Sequence, residues 1–158
     1  MVIDPVNKTP VVANQTLFLV GSVSKLFVWT AVMQVVEEGK IDLDADVNTY
    51  LTDFKVPDTY PGKPITMRYL MTHTAGFEDT TRGMGVESID EVDSLGNFLK
   101  ENLPARVMPP GETISYSNHG TALAAHIVEE VSGQSYDDYV GEHIFLPLKM
   151  YNTSIKQP

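Results

Sequence analysis

Residues 21–36, GSVSKLFVWTAVMQVV, decide the fold of this 158-residue chain. When they are placed on a helix, their apolar side chains occupy nearly every side, and Gly39 follows as a stop signal. A helix that is apolar all round belongs in the middle of a domain, so this stretch is predicted to be the core helix. Thr30 and Gln34 interrupt the apolar run, which is also too short to span a bilayer.

The sequence beyond this stretch predicts further helices joined by loops rich in proline and glycine. Thr66, Ser94 and Ser135 each precede a short helical segment and are predicted to cap it. A longer helix is predicted to end at Gly133, because the apolar residues before it recur at i, i+3, i+4 and i+7: Ala124, Ile127, Val128 and Val131.

Convincing strand patterns are scarce in this sequence. Residues 16–20, TLFLV, predict a strand or a buried extended segment, and residues 1–15 predict an irregular lead-in. We therefore expect a single, mainly α domain over residues 1–158. This length supports one hydrophobic core and is too short for two ordinary domains.

Composition and charge exclude several classes of function. The sequence has 11 Lys+Arg against 21 Asp+Glu, and its net charge of −10 argues against nucleic-acid binding and against docking on an anionic membrane. The absence of cysteine excludes disulfides, thiolate zinc sites and cysteine nucleophiles. No signal peptide or transmembrane segment is visible in the sequence, and localisation stays open.

Ser22 and Lys25 are the first candidates for chemistry. Residues i and i+3 share a helix face, so the Ser22 hydroxyl and the Lys25 amine are expected within hydrogen-bond reach. The helix dipole stabilises negative charge developing on Ser22, and the backbone N–H of this residue can donate to an oxyanion. Burial beside an apolar helix would make Lys25 a usable proton acceptor. Taken alone, the pair is more simply a helix cap followed by a lysine that reaches solvent.

Tyr116 and Asn118 are the second pair of candidates, immediately before the long predicted helix. A tyrosine hydroxyl near a lysine can act as a general acid or base, and an asparagine amide can hold a substrate carbonyl or amine. The simpler interpretation is that Asn118 caps the helix and Tyr116 packs in the core.

No metal site is predicted. Residues 42–46 begin like a calcium loop, but Val47 stands where such a loop needs glycine. The histidines lack the spacing of a zinc motif. His73 lies near a predicted helix C-terminus, where a positive charge is favourable, and is expected to be structural. His126 and His143 are expected to be surface or packing residues of their helices.

Taken together, the two candidate pairs carry a family resemblance. GSVSK at residues 21–25, followed by an apolar helix, and YSN at residues 116–118 resemble the first and second motifs of the penicillin-recognising serine hydrolases. The resemblance is to the branch of class C β-lactamases, D-alanyl-D-alanine peptidases and related esterases. Supporting stretches match in order along nearly the whole chain: ITMRYLMTHTAG at 65–76, PGE at 110–112 and FLPLKM at 145–150.

The resemblance implies a role for each candidate. Ser22 would be the nucleophile and form an acyl-enzyme. Lys25 would take the proton of Ser22, or hold Tyr116 in a state that can take it. Tyr116 would shuttle that proton to the leaving group, and Asn118 would orient the substrate amide or the lysine. The substrate would be a β-lactam, a D-Ala peptide or a carboxylic ester, and no cofactor is implied.

The sequence departs from the family in one respect. A third motif, of Lys-Thr-Gly or His-x-Gly type, is expected on a strand far downstream of Tyr116 and does not occur before Pro158. We therefore expect the helical region of the β-lactamase/transpeptidase-like α+β fold, with most of its antiparallel sheet missing. The expectation for this chain alone is little or no activity, and self-association through the face left by the missing sheet. The alternative is a non-catalytic helical module that binds a partner.

Overall fold

A computed structural model describes residues 2–4, 6–13, 15–83, 85, 88 and 91–155. Within these residues there are two short strands, β1 (Val2–Asp4) and β2 (Thr9–Pro10). The α-helices are α1 (Lys25–Glu37), α2 (Met67–Met71), α3 (Leu95–Asn102), α4 (Asn118–Ser132) and α5 (Tyr136–Val140). Two 3₁₀ turns, Gly21–Ser24 and Val47–Thr49, and a π-helical turn, Gly141–Phe145, complete the elements.

The core lies where α1 packs against α4, with α2, α3 and α5 also in contact with α4. Both helices contribute apolar side chains that are almost completely buried: Val28, Ala31, Val32 and Val35 from α1, and Leu123, Ala124, Ile127 and Val128 from α4. Burial of each valine, leucine or isoleucine side chain stabilises the fold by about 1.5–3 kcal/mol. This contact joins the element after Ser22 to the element after Tyr116.

The predicted helix caps are confirmed. The hydroxyls of Thr66, Ser94 and Ser135 accept hydrogen bonds from backbone N–H groups in the first turns of α2, α3 and α5. Gly133 ends α4 with φ = 74°, a left-handed conformation that glycine adopts without steric cost. The mainly α prediction is also confirmed, and no helix in the described part of the chain is long and apolar enough to cross a bilayer.

Three local predictions are wrong. The core helix is not buried all round, because Leu26 is 62% exposed and Met33 is 44% exposed on a face of α1 that no described residue covers. Residues 16–20 form neither a strand nor a buried segment, and Leu19 is 94% exposed. The lead-in is not wholly irregular, since β1 and β2 pair antiparallel within it.

Candidate active site

Ser22 and Lys25 meet through the 3₁₀ turn that precedes α1. A 3₁₀ helix has three residues per turn, so side chains at i and i+3 eclipse each other. Lys25, the first residue of α1, consequently donates from Nζ to the Ser22 hydroxyl oxygen over 3.1 Å. Gly21 begins the turn with φ = 53°, a backbone conformation that favours glycine.

Tyr116 and Asn118, at the start of α4, contact Ser22 and Lys25. The Tyr116 hydroxyl donates to Ser22 Oγ over 2.7 Å, and Lys25 Nζ donates to Asn118 Oδ1 over 2.7 Å. All four predicted site residues therefore belong to one hydrogen-bonded group. The simpler interpretation of the second pair is wrong, because Ser117 caps α4 through a hydrogen bond from Gly120 N–H, and Tyr116 is 44% exposed.

The segment after α2 determines where Tyr116 lies. Residues 73–78 run alongside residues 105–115, and hydrogen bonds tie the two segments at Gly76, Thr74 and His73. A side chain at position 76 would collide with the backbone of Met108, because a Cβ there would lie 2.0 Å from the Met108 carbonyl oxygen. Gly76 thus permits the close approach that brings Tyr116 to the start of α1.

The charge of Lys25 changes the proton affinity of its neighbours. Lys25 Nζ lies 4.8 Å from the centroid of the Tyr116 ring. The Lys25 ammonium, and secondarily the Ser22 hydroxyl, hold the pKa of Tyr116 below its ordinary value. A phenol with a lowered pKa more readily gives up its proton and can then take one from a neighbouring hydroxyl.

His73 lies against this group, although the sequence predicts a structural role for it. Its ring centroid lies 4.6 Å from that of Tyr116, and its Nδ1 accepts a hydrogen bond from Ser117 N–H over 3.2 Å. Burial, and secondarily the Lys25 charge, lower the pKa of His73, so the expected favourable positive charge is wrong. The sequence signal that could have indicated a role for His73 at the site is its position in residues 65–76, one of the stretches that resemble the family.

The carboxylates within residues 42–46 and the ring of His126 bind partners outside the group around Ser22. Asp44 pairs with Arg68, and Asp46 accepts from Asn48 N–H at a 3₁₀ turn. His126 is 5% exposed and stacks on Phe54, so the packing alternative is confirmed and the surface one is wrong. Both of its ring nitrogens also have carboxylate partners. The oxygens of Asp53 and Glu130 lie with its Nε2 within 4.8 Å of one another, close enough for metal ligands. Because both nitrogens already have partners, the group is explained without a cation, and the absence of a metal site stays a prediction.

Comparison with known proteins identifies the family. The Beta-lactamase family model matches residues 4–158. The chain is 33% identical to Penicillin-binding protein 4 of Amycolatopsis lactamdurans over 148 residues, which cover 90% of this chain and 37% of that protein.

Solved structures agree with this match. The octameric penicillin-binding protein homologue from Pyrococcus abyssi is 30% identical with a TM-score of 0.74, over 91% of this chain and 34% of that one. A D-stereospecific amidohydrolase from Streptomyces sp. is 28% identical with a TM-score of 0.71, over 85% of this chain and 43% of that one. The chain thus spans less than half the length of these relatives. It belongs to the β-lactamase family, within the penicillin-recognising serine hydrolase superfamily.

Proposed function

We propose that this chain carries an acyl-transfer centre in which Ser22 attacks the carbonyl carbon of an amide or ester. The observation that supports it is the double hydrogen bond to one hydroxyl. Ser22 Oγ accepts from both Lys25 and Tyr116, two groups that can exchange protons. Such an arrangement of a nucleophile beside a base, with the base itself oriented, is the general requirement for covalent catalysis by serine.

The proposed reaction has two steps. In the first, the Ser22 Oγ–carbonyl bond forms while the Ser22 proton passes to the Lys25 amine or to Tyr116 as phenolate. The bond to the leaving nitrogen or oxygen then breaks, and Tyr116 delivers the proton to it. In the second step water attacks the acyl carbonyl carbon and gives one proton to the same base. The bond between that carbon and Ser22 Oγ then breaks to release the carboxylic acid, and the proton passes to Ser22 Oγ. Asn118, held by Lys25, orients the substrate amide or the lysine.

The proposed substrates are β-lactams, D-Ala peptides and carboxylic esters. The similarity to a D-stereospecific amidohydrolase supports an amide as the first compound to assay. We expect slow turnover by this chain alone, because no third motif follows Tyr116 up to Pro158. In the family, the strand that carries the third motif supplies the second oxyanion donor, and loss of one such donor typically reduces kcat by about 10²–10³.

The test is covalent labelling by a fluorophosphonate, followed by intact-mass measurement. Wild type is expected to gain one adduct, and Ser22→Ala none. Ser24→Ala is the matched control, since Ser24 lies in the same turn but its hydroxyl donates to the Gly21 carbonyl. Absence of an adduct on wild-type protein that unfolds cooperatively would contradict an activated Ser22.

A second candidate function, favoured by the uncovered face of α1, is that of a non-catalytic helical module that binds a partner, here a second copy of this chain. Leu26 and Met33 are exposed on this face, and the segment leading to α1 exposes more apolar side chains: Leu17, Phe18, Leu19 and Val20. Large exposed apolar patches mark interaction sites. The relative from Pyrococcus abyssi is described as octameric.

Light scattering tests this second candidate. Wild type is expected to form oligomers, and the double variant Leu26→Ser/Met33→Ser to be monomeric. Val107→Ser is the control, because Val107 is also exposed but lies outside both α1 and the segment that leads to it. A monomeric wild type would contradict self-association, and acylation of Ser22 would contradict the non-catalytic alternative.

A further inference from the structure

One residue holds the backbone on both sides of Tyr116. Ser115 N–H donates to the carbonyl oxygen of His73 over 2.7 Å, and Ser117 N–H donates to His73 Nδ1 over 3.2 Å. These two donors flank Tyr116 in sequence. His73 therefore limits the directions in which the Tyr116 side chain can leave the backbone.

The imidazole of His73 also contacts the Tyr116 ring itself. The two rings are tilted by 34° with centroids 4.6 Å apart. Trp29 of α1 approaches the same imidazole edge-on, with centroids 6.2 Å apart. His73 thus lies in contact with the helix that carries Lys25 and with the residue that reaches Ser22.

The backbone of His73 is in an unusual conformation. Its φ is 55°, in the left-handed region that non-glycine residues rarely adopt. Such strain persists where surrounding interactions impose it, and it occurs frequently at functional sites. Here the His73 N–H donates to the Leu70 carbonyl, and the His73 carbonyl accepts from Ser115.

We propose that His73 is a positioning residue for Tyr116. As a neutral imidazole that accepts from Ser117 through Nδ1, it holds the Tyr116 hydroxyl 2.7 Å from Ser22 Oγ. The proposal deepens the function proposed above and rests on it for its catalytic consequence. Its structural part, the placement of the phenol beside Lys25, can be measured without any substrate.

The protonation state of His73 is part of the proposal. A proton on Nδ1 would remove the acceptor for Ser117 N–H and place a second cation near Lys25. The charged and titratable groups that act on His73 and Tyr116 in the described residues are Lys25 on α1 and Asp79, which acts on Tyr116. Burial and Lys25 both lower the pKa of His73, which favours the neutral form at neutral pH.

Two substitutions separate the hydrogen-bond acceptor of His73 from its ring contact with Tyr116. His73→Asn retains a side-chain acceptor for Ser117 N–H, and asparagine tolerates a positive φ, but it does not titrate. His73→Phe retains a ring against Tyr116 but has no acceptor. His143→Asn is the control, because His143 is an exposed histidine that pairs with Gln134.

The first readout is the rate of fluorophosphonate labelling at Ser22 between about pH 5 and pH 8. For wild type and His143→Asn the rate is expected to fall in acid as His73 becomes protonated. His73→Asn is expected to lose this acid decline and keep most of the neutral-pH rate. His73→Phe is expected to be slower by at least about tenfold, because a misplaced acid–base group loses much of its effect.

The second readout is the titration of the Tyr116 phenol, followed by NMR of its labelled ring carbon. We expect His73→Phe to raise the Tyr116 pKa toward its ordinary value, because the phenol moves away from Lys25. We expect His73→Asn to leave the Tyr116 pKa near that of wild type.

If all variants titrate alike, the proposal is overturned. If wild type is never labelled, the proposed function fails, and this titration still decides the role of His73. If His73→Phe does not fold, an unchanged acid decline in His73→Asn overturns the proposal.

Discussion

The Ser22 hydroxyl receives hydrogen bonds from two side chains that reach it by different routes. Lys25 follows three residues later, as the first residue of α1, whereas Tyr116 comes from 94 residues further along the chain. Because they come from different segments, we expect that each can be removed without moving the backbone that carries the other. Substitution of Tyr116 should therefore test proton transfer, and substitution of Lys25 should test the effect of its charge.

Tyr116→Phe removes the hydroxyl and keeps the ring against His73. Because the hydroxyl is the proposed proton shuttle, labelling of Ser22 should slow by about 10²–10⁴, the usual contribution of an acid–base group. The measurement is the rate of adduct formation by mass, with Tyr151→Phe as a control at an exposed tyrosine. A rate equal to that of wild type would show that Tyr116 moves no proton.

Lys25→Met removes a charge while keeping an extended side chain. Lys25 is the larger cause of the lowered Tyr116 pKa, so we expect this pKa to rise and the Ser22 adduct to be lost. Tyrosine titration by NMR checks the first effect and mass spectrometry the second. Lys40→Met is the control, because Lys40 pairs on the surface with Glu38. An unchanged Tyr116 titration would argue against the role of Lys25.

At the scale of elements, the start of α4 places Asn118. The N-cap is Ser117, and Asn118 is the first helical residue, which frees its side chain to accept from Lys25. If Asn118 were the cap, its oxygen would be occupied by a backbone N–H of α4. A shift of the helix start by one residue therefore decides whether this side chain belongs to the helix or to the site.

Ser117→Ala removes the cap of α4. Loss of such a cap destabilises a protein by about 1 kcal/mol, within a range of about 0.5–2 kcal/mol. The free energy of unfolding from urea titration is the measurement, and Ser117→Thr, which keeps a capping hydroxyl, should lose less. Equal stability of Ser117→Ala and wild type would mean that the Ser117–Gly120 bond contributes nothing.

At the scale of the whole molecule, a charged contact joins three parts of the chain away from Ser22. His126 of α4 pairs with Asp53 of the loop before α2 and with Glu129 of its own helix, and it stacks on Phe54. Gly96 of α3 leaves room for this contact, because a Cβ there would lie 2.5 Å from Asp53 Oδ2. The long-range packing of α3 and α4 thus includes a titratable group.

His126 should make stability depend on pH. Burial lowers the pKa of His126, but the hydrogen bonds with Glu129 and Asp53 outweigh it, and the net pKa is raised. A raised folded-state pKa stabilises the protein fully below the unfolded-state value of about 6.5, and this contribution is lost as pH rises through the folded-state pKa.

The matching variant is His126→Gln, which cannot take a charge. The difference in unfolding free energy between wild type and variant is expected to be larger near pH 6 than near pH 9, measured by urea titration. His143→Gln, at an exposed histidine, should show no such difference. A pH-independent difference for His126→Gln would contradict the raised pKa.

The sequence by itself determined the local features of this protein. Hydroxyl residues before apolar-periodic segments identified the caps of α2, α3 and α5, and Gly133 identified the end of α4, because these signals act within one helical turn. Two short motifs identified Ser22, Lys25, Tyr116 and Asn118 as candidates. Their catalytic roles stay predictions.

Only the tertiary structure decided which of these residues meet, and with what else. The packing of α1 on α4 brings Asn118 to Lys25 across 93 residues, and the pairing of residues 73–78 with 105–115 adds His73. Burial was also decided there: residues 16–20 and one face of α1 are apolar yet exposed. Hydropathy records what a side chain prefers, whereas its exposure depends on which distant element covers it, and that is a property of the packed molecule.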